Sequence, residues 1–189
     1  MSSSAIHIKK TFTYAEKSTE ARADYLRKLE TIPKETRAYI DESGINKPLV
    51  REYGRAIHGV LIEGTKHGKK FQRINVIAAR IGDRIVAPFC YAENTTSAFF
   101  VEWFRRKFIK SVPKGTTVIL DNASFHPVKK LRNLCRRHGI YLLFLPPYSP
   151  DYNPIEKDWA NMKRALIDII PYYGDVACAV YRYFGVDTF

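Results

Sequence analysis

The second half of the chain alternates between apolar residues at helical spacing and short continuous apolar runs. This alternation is the sequence feature that constrains the fold most. Apolar residues recur at helical spacing over residues 100–108, 127–138 and 155–169. Two short apolar runs, Thr116–Leu120 and Ile140–Leu145, separate these segments and have the length of buried strands. The order helix–strand–helix–strand–helix is typical of parallel strands joined by crossover helices.

The first half of the chain differs, because β-rich runs follow one another there without a helix between them. The predicted strands are Ala38–Ile40, Arg55–Ile62, Ile74–Ile81 and Arg84–Tyr91. A Gly- and Lys-rich connection, Gly64–Lys70, indicates a hairpin loop. Antiparallel strands followed by βαβ units predict an α/β fold with a mixed sheet flanked by helices.

The N-terminal residues 1–35 are mostly polar, with acidic and basic side chains interspersed. A helix from Ser18 to Leu29 would have a narrow apolar face made of Tyr25, Leu26 and Leu29. We interpret residues 1–35 as an arm or linker remnant and residues 36–189 as one folded domain, which is a typical domain size.

The composition excludes several classes of protein. A hydrophobic fraction of 46%, with 13% aromatic residues over the whole chain, excludes a disordered chain. No apolar run approaches the ~18 residues that a membrane span needs, and the N-terminus lacks the apolar stretch of a secretory signal. The three cysteines form no CxxC pair, which indicates reduced thiols and argues against a Cys-ligated zinc site. We therefore expect a cytoplasmic protein without membrane association.

The charge balance favours a polyanionic partner, since 31 Lys and Arg residues against 19 Asp and Glu residues give a net charge of +12. The predicted helix 127–138 concentrates cations and contains no acid: Lys129, Lys130, Arg132, Arg136 and Arg137. A face of one sign repels itself, which favours a phosphate-facing surface over a merely solvated one. Tyr148 and Tyr152 are candidates for stacking on bases, with packing of the Pro-rich turn as the alternative.

Two acids stand at the ends of predicted strands. Asp41 follows the first core strand and Asp121 follows the strand that opens the βαβ half. Ligands of open α/β sheets collect beyond the carboxyl ends of strands, so neighbouring strands would bring both carboxylates together. Two carboxylates at so short a distance repel each other unless a cation such as Mg²⁺ or Mn²⁺ lies between them. The alternative is that each aspartate only begins a turn.

Glu156 is the third candidate acid, just inside the predicted third helix. Asn153 and Glu156 also have the spacing of a capping box, in which the glutamate would bind its own backbone. Asp151 and Asp158 compete with Glu156 for the third position. His126 and Asn122 lie close enough to Asp121 in the sequence to support the same site.

Other catalytic motifs are absent from the sequence. It contains no GxxxxGK[ST], GxGxxG, GxSxG or HExxH. A glycine-rich phosphate loop and a serine nucleophile are therefore unsupported.

Three segments together resemble the catalytic core of mariner-superfamily transposases of the DDE type, in particular their bacterial insertion-sequence branch. They are YIDESGI at 39–45, LDNASFH at 120–126 and LPPYSPDYNPIEKDW at 145–159. The 34 residues between Asp121 and Glu156 match the spacing of that family.

The resemblance implies an RNase H-like fold, of the retroviral-integrase type, over residues 36–189. It implies that Asp41, Asp121 and Glu156 are the catalytic acids and that they hold two Mg²⁺ ions, with Mn²⁺ able to substitute. Similar enzymes cut double-stranded DNA at transposon ends and join the freed 3′-OH to target DNA, usually at TA dinucleotides. The implied active complex is a homodimer in a prokaryotic cytoplasm, associated with the nucleoid.

The chain departs from the family pattern before residue 36. Family members begin with helix-turn-helix segments that read the transposon ends, and residues 1–35 offer no such pair of helices. We therefore expect end recognition to lie in a separate helix-turn-helix polypeptide or to be lost. Two alternatives to an active transposase stay open at this point: a non-catalytic DNA-binding remnant and a related RNase H-fold nuclease. Divalent-metal binding distinguishes the first alternative, and strand joining distinguishes the second.

Overall fold

The computed structural model of the chain describes residues 18–46, 73–173 and 175–186. The predicted strand Arg55–Ile62 and the loop Gly64–Lys70 lie outside these residues. The strands are β1 Arg37–Asn46, β2 Arg73–Ile81, β3 Arg84–Tyr91, β4 Thr117–Leu120 and β5 Tyr141–Phe144. The α-helices are α1 Thr19–Glu30, α2 Ser97–Trp103, α3 Val128–His138, α4 Ile155–Tyr173 and α5 Val176–Tyr183.

The five strands form one mixed sheet in the order β3-β2-β1-β4-β5. Strand β1 pairs antiparallel with β2 and parallel with β4, and β4 pairs parallel with β5. The prediction of an antiparallel half joined to a parallel half is confirmed.

Helices cover both faces of the sheet, because each strand alternates its side chains between the faces. On one face, α2 and α3 bury an apolar core with Ile40, Ile77 and Leu120. On the other face, α4 and α5 pack on Ile45 and Val76. The stripe that predicted α4 supplies this second core through four buried side chains: Ile155, Trp159, Met162 and Leu166.

Strand β1 is longer than the sequence predicts. It continues beyond Ile40 to Asn46, so Asp41 lies inside the strand and does not follow it. The antiparallel partner β2 stays paired with β1 as far as Asn46, and Asp41 stands opposite Ala78 in this pair. The parallel partner β4 ends at Leu120, so β1 loses its neighbour on that side. At the predicted end of β1, therefore, only the pairing with β4 stops. The strand itself continues, paired with β2.

The other element bounds follow from caps and local packing. Thr96 caps α2 by accepting a hydrogen bond from the Phe99 amide, and a π-helical turn, Phe104–Phe108, continues that helix. Gly139 ends α3 in the left-handed conformation, with a φ of 68° that a side chain would disfavour. Within the described ranges, no helix combines the length and the apolar character needed to cross a bilayer.

Helix α1 packs on the sheet. Ser18 caps it, and the buried Tyr25 contacts Ile119 and Leu145. The narrow apolar face of α1 thus packs on the same face of the sheet as α4, over β4 and the end of β5. The division of the chain at residue 35 into an arm and a domain stays a prediction.

Candidate active site

An open cleft of about 450 Å³ lies where β4 and β5 end. The loop after β5 forms one wall, from Leu145 to Pro150, and the first turn of α4 contributes to another. Among the side chains that line the cleft are all three predicted acids and two amides: Asp41, Asp121, Glu156, Asn122 and Asn153. The fold thus brings together three acids from distant parts of the sequence.

Asp41 is largely buried on the face of the sheet that α4 covers. The indole N–H of Trp159, on α4, donates a hydrogen bond to Oδ2 of Asp41 at 3.0 Å. Burial, and after it the nearby charges of Glu156 and Glu42, together raise the pKa of Asp41 to about 7, against the opposing effect of the hydrogen bond from Trp159. Within the described part of the chain, Asp41 has no ion pair. Its carboxylate is therefore poorly compensated.

Asp121 follows β4 directly and is half exposed. The backbone N–H of Ala123 donates to Oδ1 at 3.1 Å, and Nδ1 of His126 lies 3.1 Å from the same oxygen. Burial acts to raise the pKa of Asp121, but the hydrogen bonds from His126 and Ala123 outweigh it and hold the pKa below its usual range. Asp121 thus stays ionised.

His126 lies beneath the cleft, with its ring against Phe100 at a centroid distance of 4.2 Å. Its Nδ1 faces Asp121, and its Nε2 lies 3.6 Å from Oε1 of Glu42. Burial disfavours the imidazolium, yet the contacts with Asp121 and Glu42 raise the pKa of His126 to about 9. A buried imidazolium therefore lies between two carboxylates.

Sequence reasoning missed Glu42. It follows Asp41 in β1, so its side chain points to the opposite face of the sheet, where His126 lies. The signal was the pair Asp41-Glu42 within a strand, since an acid at a position facing the core requires a partner.

Glu156 is exposed on the first turn of α4 and lines the cleft. The capping-box alternative is not supported, because the buried Oδ1 of Asn153 has no hydrogen-bond partner. The Glu156 amide instead donates to the backbone carbonyl of Asn153 at 3.2 Å. Both competitors for the third position are engaged elsewhere: Asp158 with Arg80 at 2.7 Å and Asp151 with Arg22 at 2.5 Å.

The predicted supporting residue Asn122 ties the two walls of the cleft together by donating to the Leu145 carbonyl at 3.3 Å. Tyr148 lines the cleft, is 52% exposed and has a φ of 52°, an uncommon backbone conformation for an aromatic residue. Tyr152 stacks on Tyr25 at 5.5 Å and lies beneath the guanidinium of Arg22 at 4.0 Å. The ring of Tyr152 is therefore engaged with α1, and the contact of Tyr148 and Tyr152 with bases stays a prediction.

The five predicted DNA-binding cations of α3 are exposed: Lys129, Lys130, Arg132, Arg136 and Arg137. None of them forms an ion pair with an acid in the described ranges. Arg105 and Arg106, by contrast, both pair with Glu102. Helix α3 thus presents uncompensated positive charge.

The cleft suits a divalent cation in the chemistry of its donors. Its acids offer carboxylate oxygens, which Mg²⁺ and Mn²⁺ prefer, and the charge of Asp41 lacks a basic partner. In the described part of the chain, no three acid, His or Cys side chains are close enough to enclose an ion. The side chain of Glu156 is exposed and makes no hydrogen bond or ion pair with described residues, so it is free to turn toward the aspartates. The roles of the acids, of His126 and Asn122 and of the α3 cations stay predictions.

Known proteins show the same fold. A Mos1 transposase paired-end complex with the left transposon end superposes with a TM-score of 0.69 at 16% identity, over 98% of this chain and 61% of that chain. The catalytic domain of Mos1 mariner transposase gives a TM-score of 0.57 at 15% identity, over 89% of this chain and 78% of that domain. A Mos1 mariner paired-end complex with Mn gives 0.66 at 16% identity, over 96% and 60% of the two chains. The prediction of an RNase H-like fold is confirmed.

Sequence comparison gives the family. An uncharacterized protein of Sinorhizobium fredii, y4pE/y4sA, is 33% identical over 84 residues, which are 43% of this chain and 56% of that protein. The chain thus spans little more than half the length of this relative and about three fifths of the Mos1 paired-end chain. Residues 36–174 match the family described as DDE superfamily endonuclease. Because that match covers most of the chain, the protein belongs to the DDE superfamily endonucleases.

Proposed function

We propose that this chain is the catalytic part of a transposase that cuts DNA at transposon ends and joins the 3′-OH to target DNA at TA dinucleotides. The observation that carries the proposal is the cleft itself. Asp41, Asp121 and Glu156 line it together, and the charge of Asp41 has no basic partner within the described residues. The likeness to Mos1 structures that contain transposon DNA and Mn supports the proposal.

The three acids would hold divalent ions, two if the chemistry follows the family pattern. When bound, Mg²⁺ or Mn²⁺ supplies Lewis acidity that activates a water or a 3′-OH and stabilises the leaving oxygen. Asp121 is ionised and oriented by His126 and the Ala123 amide, so it presents a fixed carboxylate. Glu156 is the mobile member, since its side chain is exposed and makes no hydrogen bond or ion pair with described residues.

Double-stranded DNA is the proposed substrate, both as transposon end and as target. Helix α3 would contact its phosphates through the five exposed cations, and Tyr148 would contact the strand that enters the cleft. We further propose a homodimer as the active complex, a separate helix-turn-helix polypeptide for end recognition, and a prokaryotic cytoplasm, near the nucleoid, as the place of action.

The test is nicking and strand joining on pre-cut DNA ends with Mg²⁺ or Mn²⁺. The wild type is compared with Glu156→Gln and with Glu30→Gln, an exposed glutamate of α1 that does not line the cleft. We expect joining by the wild type and the Glu30→Gln variant only. Nicking without joining would support a related nuclease. Bound DNA without metal binding or activity would support a non-catalytic remnant.

A second test addresses the DNA surface. Neutralising the five α3 cations should flatten the dependence of DNA affinity on salt, because each lost phosphate contact lowers the slope of log K against log salt by about 0.9. A control is the pair Arg105→Gln and Arg106→Gln, because both of these arginines pair with Glu102 and so carry less net positive charge than the α3 cations. An unchanged slope in the α3 variant would remove that helix from the interface.

A further inference from the structure

Trp159 makes a contact that core packing alone does not require. It lies on α4, its side chain is 2% exposed, and it belongs to the apolar cluster on that face of the sheet. Its indole N–H nevertheless points out of that cluster, toward the cleft, and donates to Oδ2 of Asp41 at 3.0 Å. A buried indole N–H needs an acceptor, and here the acceptor is the carboxylate of a proposed metal ligand.

The bond fixes how Asp41 presents its carboxylate. Asp41 stands opposite Ala78 in the sheet, and Ala78 belongs to the same buried apolar cluster as Trp159. No other described side chain donates a hydrogen bond to Asp41. Besides the backbone amide of Glu42, Trp159 is thus the one described group that donates to this carboxylate, and it is the one that belongs to α4.

The same residue links two of the acids. Trp159 follows Glu156 by three positions, so both side chains lie on one side of α4. A shift of α4 along the sheet would therefore change the position of Glu156 and break the bond to Asp41 at once. The contact between the indole and the carboxylate sets the spacing of an acid on β1 and an acid on α4.

We propose that Trp159 is a positioning residue for divalent-metal binding: it orients Asp41 and sets the placement of Glu156 relative to it. This inference rests on the proposed function, because it assumes that Asp41 and Glu156 bind the ion. A residue that only packed the core would have no effect on metal affinity beyond its effect on folding.

The chain contains a matched control in its second tryptophan. Trp103 is 3% exposed, and its indole N–H also donates a hydrogen bond at 3.0 Å. Its acceptor is the backbone carbonyl of Ala87, on the opposite face of the sheet and away from the cleft. Trp103→Phe and Trp159→Phe thus remove the same group from equally buried sites.

The experiment measures Mn²⁺ affinity by isothermal titration calorimetry in both variants, with thermal unfolding as the measure of folding. We expect a similar loss of Tm in both but a 10–100-fold weaker Mn²⁺ affinity, on the order of other losses of supporting contacts, in Trp159→Phe only. Equal Mn²⁺ affinity in the two folded variants would overturn the inference. Failure of the wild type and Trp103→Phe to bind Mn²⁺ would overturn the proposed function, and this inference with it.

A measurement on the wild-type protein covers the case in which Trp159→Phe does not fold. The chain has two indole N–H groups, and Trp103→Phe assigns their two signals in a ¹⁵N–¹H spectrum. We expect saturating Mg²⁺ to shift the Trp159 signal and leave that of Trp103 in place, and Asp41→Asn to abolish the Mg²⁺ effect. A Trp159 signal that does not move while Mg²⁺ binds would overturn the inference.

Discussion

The two aspartates of the cleft have the same side chain and occupy equivalent positions, but their environments are opposite. The register of β1 and β4 pairs Tyr39 with Ile119, and each aspartate stands two residues further along its own chain. The pKa of Asp121 lies below its ordinary value because His126 and a backbone amide face it. The pKa of Asp41 is raised to about 7 because burial and two neighbouring glutamates outweigh its bond to Trp159.

This difference shows where the cleft needs positive charge. The Asp121 side already contains a buried cation, since His126 has a pKa raised to about 9. The Asp41 side combines a buried carboxylate with Glu156 and has no cation among the described residues. A divalent ion would therefore gain most of its binding free energy beside Asp41, and Asp121, whose charge His126 already partly offsets, would complete the site.

The largest expected effects come from removing either charge. Asp41→Asn and Asp121→Asn should each lower strand joining by at least about 10³-fold, because both remove a ligand of the proposed ions. Their stabilities should move in opposite directions. Without metal, near neutral pH or above, Asp41→Asn relieves a poorly compensated charge and should stabilise the fold, whereas Asp121→Asn removes one of the two carboxylates that face His126 and should destabilise it by about 1–3 kcal/mol.

Urea unfolding in the presence of a chelator measures these two changes, and joining of pre-cut ends measures activity. Asp83→Asn, at a fully exposed side chain remote from the cleft, serves as the control. A loss of stability of the same size in both cleft variants would contradict the contrast between the two aspartates. Full activity in either variant would exclude that residue from the catalytic site.

The next effect concerns the buried cation. His126→Leu removes the imidazolium that lies between Asp121 and Glu42, and it leaves the 16%-exposed Glu42 carboxylate without a counter-charge. We expect a loss of about 3–5 kcal/mol in the free energy of unfolding. The double variant His126→Leu with Glu42→Leu should recover much of it, because both buried charges are then absent. A double variant as unstable as the sum of the single ones would show that His126 and Glu42 do not interact.

The pH dependence of stability should separate the two sides of the cleft. Folding raises the pKa of Asp41 from its ordinary value of 3.8 to about 7, and that of His126 from 6.5 to about 9. The unfolded chain releases both earlier, so both groups make the metal-free fold less stable as the pH rises. Asp41→Asn should remove the lower part of this decline, and the double variant at 42 and 126 the upper part. Urea unfolding from about pH 5 to about pH 9 measures both, and a stability that rises with pH over this range in the wild type would be the contrary result.

How much of this the sequence predicts depends on the range of the interaction. Local periodicity encodes the strands β3 and β4, which the structure has within a residue of the predicted bounds, and the stripe of α4, although that helix continues beyond the predicted residue 169 to Tyr173. The predicted end of β1 was wrong, because β1 stays paired with β2 as far as Asn46 although its parallel partner β4 ends at Leu120. That difference between two edges of one strand is a property of the sheet and has no local signal.

The site shows the same limit. The three acids were predicted from their position and from the family motifs, and the fold places all of them on one cleft. The capping box, an alternative that the spacing left open, is not formed. Of the partners that tune the three acids, His126 was predicted from its position after Asp121, but Glu42, which faces His126, and Trp159, which donates to Asp41, were not. Such contacts join residues far apart in the sequence, so periodicity and spacing do not encode them.

The smallest expected effect tests whether the wall of the cleft depends on α1. The Arg22 guanidinium pairs with Asp151, donates to Oγ of Ser149 at 2.7 Å and lies over the ring of Tyr152, so it holds the loop that leads to Glu156. Arg22→Ala should lower the free energy of unfolding by about 1–3 kcal/mol and strand joining by a few fold, without changing the pKa of Asp41 or Asp121. Arg27→Ala, a largely exposed arginine on the same helix, is the matched control. Equal joining rates in the two variants would show that the cleft keeps its geometry without α1, and that the difference between its two aspartates arises wholly within the sheet and its flanking helices.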